Sequence, residues 1–281
     1  MERIKKPDWL KIRLSAEGNY PEVKRIVEQH RLHTICTSGR CPNISDCWGR
    51  GTATFMILGE ICTRSCKFCN TLTGKPLPLD MEEPANVAES IRLMKLKHVV
   101  ITSVDRDDLN DLGAAQWAET IRTIKRVNPG VTLETLIPDF QGRAELIALI
   151  IAAGPEIISH NMETVRRLTP KVRSAAKYDT SLQVLKQIAD SGITAKSGLM
   201  VGLGESEEEM VSTMDDLINV GCSVLTIGQY LQPSRKNMPV VEYINPQQFD
   251  RYKTIGLEKG FREVESAPLV RSSYHAEKHL K

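Results

Sequence analysis

The sequence lacks any apolar run approaching the ~18 to 20 residues that a helix needs to cross a bilayer, and Met1 to Leu10 is too polar for a secretory signal. A cytoplasmic protein with no membrane partner is expected. It also lacks an excess of either charge: 37 basic against 35 acidic residues leave a formal charge of +2, which gives no electrostatic footprint for nucleic acid. Short repeats and low-complexity tracts are missing too. At 41% hydrophobic and 26% charged, the 281 residues have ordinary globular proportions, so disordered, collagen and coiled-coil readings fall away. A chain of this length can bury a full core.

What the sequence does have is cysteine, in an unusual distribution. The count is seven, an odd number in a chain without an export signal, which argues against a disulfide framework because the cytosol keeps thiols reduced. Six of the seven lie between Cys36 and Cys69. Such crowding in a reduced compartment points to metal.

Composition divides the chain into three stretches. Residues 1–52 carry proline, scattered charge and the first three cysteines, with one helix expected around Tyr20 to His30. Over residues 53–244, strand-length apolar runs alternate with amphipathic stretches of helix length, the pattern of repeated βα units and a parallel sheet. The strands expected are Ala53 to Gly59, Val99 to Val104, Val131 to Ile137, Glu156 to His160, Thr194 to Val201 and Ser223 to Gly228. The helices expected between them are Pro84 to Lys97, Leu112 to Val127, Gln141 to Ala152, Thr180 to Ser191 and Ser206 to Val220. Ser206 followed by Glu209 has the form of a capping box. Six strands are fewer than a closed eight-stranded barrel, so the fold class is α/β, a partial parallel (β/α)6 barrel with extensions at both ends. Residues 245–281 read as a helix plus a tail. Functional residues of such folds collect at the C-terminal edge of the strands.

Immediately after the first strand comes Cys62-Thr-Arg-Ser-Cys66-Lys-Phe-Cys69. Three thiolates so close together can converge on a soft metal centre, an iron–sulfur cluster or zinc. Structural zinc prefers four protein ligands, and no fourth cysteine or histidine stands at finger spacing here. A cubane held by three cysteines keeps one iron open for another ligand. The motif resembles the C-x-x-x-C-x-aromatic-C signature of the radical S-adenosylmethionine (SAM) superfamily at every defined position, Phe68 included. The resemblance implies a 4Fe-4S cluster on Cys62, Cys66 and Cys69 whose open iron chelates SAM, and reductive cleavage of SAM to a radical that takes hydrogen from an unreactive carbon.

A second group, Cys36-Thr-Ser-Gly-Arg-Cys41-Pro-Asn-Ile-Ser-Asp-Cys47, precedes the first expected strand. Alone, its spacing suits structural zinc as well. The pair of trios, however, resembles the lipoyl synthase family, in which the trio nearer the N-terminus holds an auxiliary 4Fe-4S cluster. Arg271-Ser272-Ser273-Tyr274 matches that family's R-S-S-Y motif, which implies a serine as fourth ligand, with the role carried to Ser273 and Ser272 as the other choice. Pro7-Asp8-Trp9-Leu10-Lys11, Thr102 to Leu109 and Gly228 to Ser234 look like the same family, so the likeness runs over nearly the whole chain.

Other positions have a functional and a bland reading. Gly198 to Glu205 lies at the end of the fifth expected strand and looks like the superfamily's adenine-packing stretch, with Gly202 as a cofactor contact; a plain strand terminus is the alternative. Ser103, Asn161 and Glu163 follow strands and are expected to contact SAM, or else to cap the next helix. Cys222 falls outside both trios and reads as a small buried residue. His30, His33, His275 and His279 make no convincing metal group. The run Arg166, Arg167, Lys171, Arg173 and Lys177 is ordinarily a solvated face, and could also dock an acidic protein.

Taken together, the resemblance implies insertion of two sulfur atoms into the octanoyl chain of a lipoyl carrier domain, such as a 2-oxoacid dehydrogenase E2 subunit or the glycine cleavage H protein. The auxiliary cluster would be the sulfur donor and be consumed. A flavodoxin or ferredoxin reductant and an iron–sulfur assembly protein are implied as partners. The rivals are another sulfur-inserting or methylthio-transferring enzyme of the superfamily and a non-catalytic electron carrier with two clusters.

Overall fold

The computed structural model describes residues 5–11, 18–30, 32–49, 53–274 and 276. His275 and His279 lie outside the described residues. After a 3-10 turn at Asp8–Leu10 come α1 (Tyr20–Gln29), β1 (His33–Thr34), α2 (Ile35–Ser38) and α3 (Ile44–Gly49). Val23, Ile26 and Val27 bury one stripe of α1, and Tyr20 packs on Trp48 with ring centroids 5.3 Å apart. A small pair, β3 (Ile61–Cys62) and β4 (Leu72–Thr73), follows β2 (Thr54–Ile57). The repeating units then run α4 (Glu83–Leu93), β5 (His98–Ser103), α5 (Ala114–Val127), β6 (Thr132–Leu136), α6 (Ala144–Ala153), β7 (Ile157–Ser159), α7 (Thr169–Val172), α8 (Tyr178–Asp190), β8 (Thr194–Val201), α9 (Glu207–Asn219) and β9 (Val224–Gln229). The chain continues with α10 (Pro246–Glu258) and β10 (Glu263–Ser266).

All six expected strands form, and they lie side by side in chain order, β2-β5-β6-β7-β8-β9, every pair parallel. Parallel neighbours require a crossover between them, which the helices supply. The sheet also extends beyond the expectation. An antiparallel edge strand, β1, pairs with β2, and β10 adds a seventh parallel strand beside β9. The "helix plus tail" reading of residues 245–281 therefore omits a strand. Glu263-Val-Glu-Ser buries only alternate residues and carries two carboxylates, so it has no apolar run to announce it.

Helix boundaries moved for local reasons. The helix expected at Gln141 begins at Ala144, because Phe140–Gly142 forms a short 3-10 turn with Gln141 in the left-handed region. Ser206 does form the capping box with Glu209 at the start of α9. Gly154 ends α6 at φ +77°, a conformation open to glycine at little cost.

The two faces of the sheet differ in chemistry. Ile57, Ile101, Leu133 and Ile158 pack outward against Ile91, Ile121 and Ile147 of the helices, all essentially buried. Each such side chain contributes about 1.5–3 kcal/mol by leaving water. Thr102, Leu136, Gly198, Met200, Thr226 and Gly228 instead line an internal cavity at the C-terminal end of the strands. Strand parity thus separates a dry outer layer that holds the barrel together from a mixed inner layer that can hold something else.

Candidate active site

The loop that carries Cys62, Cys66 and Cys69 is fixed from several sides. Arg64, inside the motif, donates to both carboxylate oxygens of Asp107 at 2.8 Å and of Asp139 at 2.9 and 3.0 Å, and stands 3.3 Å from Asp105. The Arg64 and Asp105 backbone N–H groups point at Cys62 Sγ, at 3.4 and 3.3 Å. Ser65 N–H donates to Ser174 Oγ, and the Asn237 side chain donates to the Cys69 carbonyl at 2.7 Å. Amides aimed at sulfur favour its anionic form, as a cluster requires. Without a metal the balance is opposite: burial, with Asp105 adding to it, pushes the Cys62 thiol up to about 12. Loading a cluster therefore displaces protons.

Of the second trio, Cys36 sits on α2, Cys47 on α3 and Cys41 on the loop between them. Thr34 caps α2 by accepting from Thr37 N–H, and Cys41 N–H donates to the Cys36 carbonyl at 3.0 Å, turning the chain so that both thiols face inward. Burial raises the pKa of Cys36 and Cys41, and at Cys41 the Arg271 guanidinium acts in the other direction. All seven cysteines are free thiols.

One cavity of about 520 Å³ joins these parts. Its wall includes Cys36 and Cys41 from the second trio, all of Cys62, Cys66 and Cys69, and Ser272 with Ser273 from the C-terminal tail. Phe68, Ser103, Asn161 and Glu163 line it as well. Cys47 and Gly202 are not among the lining residues. Gly202 lies beyond the end of β8 at φ +97°, where an added Cβ would stand 2.2 Å from Gln229 Nε2. From that stretch Gly198 and Met200 reach the cavity instead.

The helix-capping alternative does not apply to Ser103, Asn161 and Glu163. The caps of α5 and α7 are Gly113 and Leu168. Ser103 Oγ accepts from the Trp117 indole at 3.1 Å. The Asn161 side chain donates to Glu163 at 3.1 Å and to Ser272 Oγ at 2.7 Å, while its Oδ1 is buried without a hydrogen-bond partner. A buried acceptor left bare costs about 1–3 kcal/mol, so an amino or hydroxyl donor on a bound molecule would complete it. With three soft thiols and this polar pair on the wall of one cavity, the residues fit an iron–sulfur cluster carrying an amino-acid-like ligand. Among the described residues, no three His, Cys, Asp or Glu side chains are grouped to hold a single metal ion.

Of the basic run, Arg173 lines the cavity and the others lie outside it. Arg166 pairs with Asp179 and Asp216 and lies over the Tyr178 ring, Arg167 pairs with Glu209, and Arg173 is buried against Ser181 and the Met162 carbonyl. Arg166 and Arg167 are thus matched by acids of their own chain and Arg173 is turned inward, which leaves Lys171 and Lys177 as the exposed cations of the run. Cys222 is buried, and burial pushes its thiol up to about 12. The carboxylates around Arg64 were missed at the sequence level. Their signal was present in Thr102-Ser-Val-Asp105-Arg-Asp107-Asp108, a strand end unusually dense in acid.

Comparison with known proteins bears on the family and the fold. Residues 56–217 match the model of the radical SAM superfamily. Over 281 residues the chain is 72% identical to a lipoyl synthase of Phocaeicola vulgatus, covering 100% of this chain and 99% of the relative. It is 66% identical to a lipoyl synthase of Porphyromonas gingivalis, with 99% of each covered. Among solved structures, SuiB of Streptococcus suis bound to S-adenosylmethionine aligns at TM-score 0.61 and 8% identity, over 81% of this chain and 54% of that one. Methylornithine synthase (PylB) aligns at TM-score 0.52 and 13% identity, over 92% and 85%. At such identities these two speak for the fold alone.

Proposed function

The chain belongs to the lipoyl synthase family of the radical SAM superfamily, a family of sulfurtransferases, and from that premise we propose that it inserts two sulfur atoms into an octanoyl chain borne by a lipoyl carrier domain. The observation that carries this reading is the single cavity onto which cysteines of both trios and the tail serines open. A superfamily member with one cluster would have no use for the second set.

When bound, the first cluster would supply the electron that cleaves SAM to a radical able to take hydrogen from an unactivated carbon, and the auxiliary cluster would supply sulfide. An alkyl carbon offers no acid or leaving group, so acid–base catalysis has nothing to act on there. The protein's share is binding, orientation and exclusion of water. Cys62, Cys66 and Cys69 hold the first cluster and leave one iron for SAM. Asn161 presents its bare Oδ1 to SAM, and Glu163 orients the Asn161 carboxamide. Ser103 and Phe68 close the walls of that side. Cys36, Cys41 and Cys47 hold the second cluster, with Ser273 as its fourth ligand. Ser272 is the weaker choice because its hydroxyl already accepts from Asn161.

The carrier is a 2-oxoacid dehydrogenase E2 subunit or the glycine cleavage H protein, the reductant a flavodoxin or ferredoxin, and an iron–sulfur assembly protein restores the consumed cluster. No helix among the described residues is long and apolar enough to cross a membrane. Reconstituted protein should contain about eight irons per chain. Incubated with octanoylated carrier, SAM and dithionite, it should yield 5′-deoxyadenosine and a carrier heavier by two sulfur atoms on mass spectrometry. Deoxyadenosine without sulfur insertion would refute the donor role of the auxiliary cluster.

A further inference from the structure

Among the described residues, the inner layer of the barrel holds a fully buried ion pair. Lys196 on β8 and Glu134 on β6 both have side chains at 0% exposure. The ammonium donates to Glu134 Oε1 at 2.7 Å and Oε2 at 2.9 Å, and to the backbone carbonyl of Ser272 at 2.6 Å. Ser159 on β7, the strand between them, donates to Glu134 Oε1 at 2.9 Å. An apolar pair would fill the same volume without desolvating two charges, so packing alone does not account for the choice.

What an apolar pair could not do is reach the tail. We propose that Lys196, held upright by Glu134 and Ser159, is a positioning residue that clamps the Ser272 carbonyl and thereby sets where Ser273 projects. An ammonium has three N–H donors, enough to take both carboxylate oxygens as support and still grip a carbonyl. The segment it grips is a tight turn in which the Tyr274 N–H donates to the Arg271 carbonyl at 2.8 Å, with Ser272 and Ser273 at its centre. Ser272 is gripped twice, at its carbonyl by Lys196 and at its hydroxyl by Asn161. Its neighbour Ser273 is carried by that fixed turn into the cavity wall. The inference rests on the reading of Ser273 as a cluster ligand.

The test uses the full-length holoenzyme and the paired substitution Glu134→Leu with Lys196→Met, which removes the clamp and leaves no unpaired buried charge. Hydrogen exchange at residues 269–274 should speed up by about 10- to 100-fold, the equivalent of a lost hydrogen bond to a charged group, while β6 to β8 keep their protection. The Mössbauer signature of the oxygen-ligated iron should be lost, and the SAM-dependent change in the electron paramagnetic resonance of the other cluster should persist. Unchanged exchange in the tail overturns the proposal. Faster exchange with an intact Mössbauer signature also overturns it, since the clamp would then not act on Ser273. If the apolar pair does not fold, Glu134→Gln with Lys196→Gln, one bond too short to reach Ser272, carries the same test. Ser273→Ala is the separate control: an unaltered signature there defeats the ligand reading, and the exchange result still reports on the clamp.

Discussion

Arg64 is held by carboxylates on two strand ends, Asp105 and Asp107 after β5 and Asp139 after β6. Its planar fork satisfies Asp107 and Asp139 two bonds at a time, a geometry that lysine cannot reproduce. Truncating it strands buried negative charge beside Cys62. Arg64→Ala should therefore cost about 3–5 kcal/mol in urea denaturation, and iron retained at the first trio should fall, with Arg64→Lys between it and the native chain. His160 shows a different residue-level effect. It is buried with its ring nitrogens on the Ile137 carbonyl and Ser181, and burial, reinforced by Arg173, lowers its pKa to about 4. The unfolded chain takes up a proton there below about pH 6.5, the folded chain only near 4, so stability falls as pH drops through that interval. The loss attributable to this ring is about 3 kcal/mol between pH 7 and pH 4. His160→Gln should flatten that part of the pH profile by a comparable amount in denaturation curves.

At the level of elements, the tail lies so close on β9 that glycine is required there. A Cβ on Gly228 would come within 2.2 Å of the Val270 carbonyl oxygen, a backbone atom that cannot swing aside. Gly228→Ala should displace residues 268–274 and expose them to limited proteolysis, leaving circular dichroism of the barrel nearly unchanged. How far these elements could be read from sequence follows from their physics. The barrel strands were legible because each is a short apolar run between amphipathic helices, whereas β10 and the one-turn helices α2, α3 and α7 lack either signal. The group at Cys62, Cys66 and Cys69 stands out by its spacing, whereas the group at Cys36, Cys41 and Cys47 takes its reading from the family resemblance. The side chains that hold them were not legible: Arg64 finds Asp139 across 75 positions, Lys196 finds Glu134 across 62, and Asn161 finds Ser272 across 111. Such pairings depend on strand order, which periodicity does not reveal.

For the molecule as a whole, two cysteine groups from separate elements serve one cavity, and they should be separable. Replacing Cys36, Cys41 and Cys47 together by alanine should leave about four irons per chain. Deoxyadenosine formation and the SAM-dependent resonance should survive in that variant, and sulfur insertion should vanish. Retained sulfur insertion would move the sulfur source away from the auxiliary cluster. The N-terminal segment beside the cavity is also tied to residues far along the chain. Asn43, between Cys41 and Cys47, donates to the Leu269 carbonyl across 226 positions, and Arg40 reaches the Pro233 carbonyl across 193. Synthesis proceeds from the N-terminus, so the segment of the first trio to emerge waits for almost the entire barrel to be made before both contacts can form. Until Leu269 has left the ribosome, the Asn43 contact on that side cannot form. Order of synthesis thereby places that contact last, after every cysteine that lines the cavity has been made.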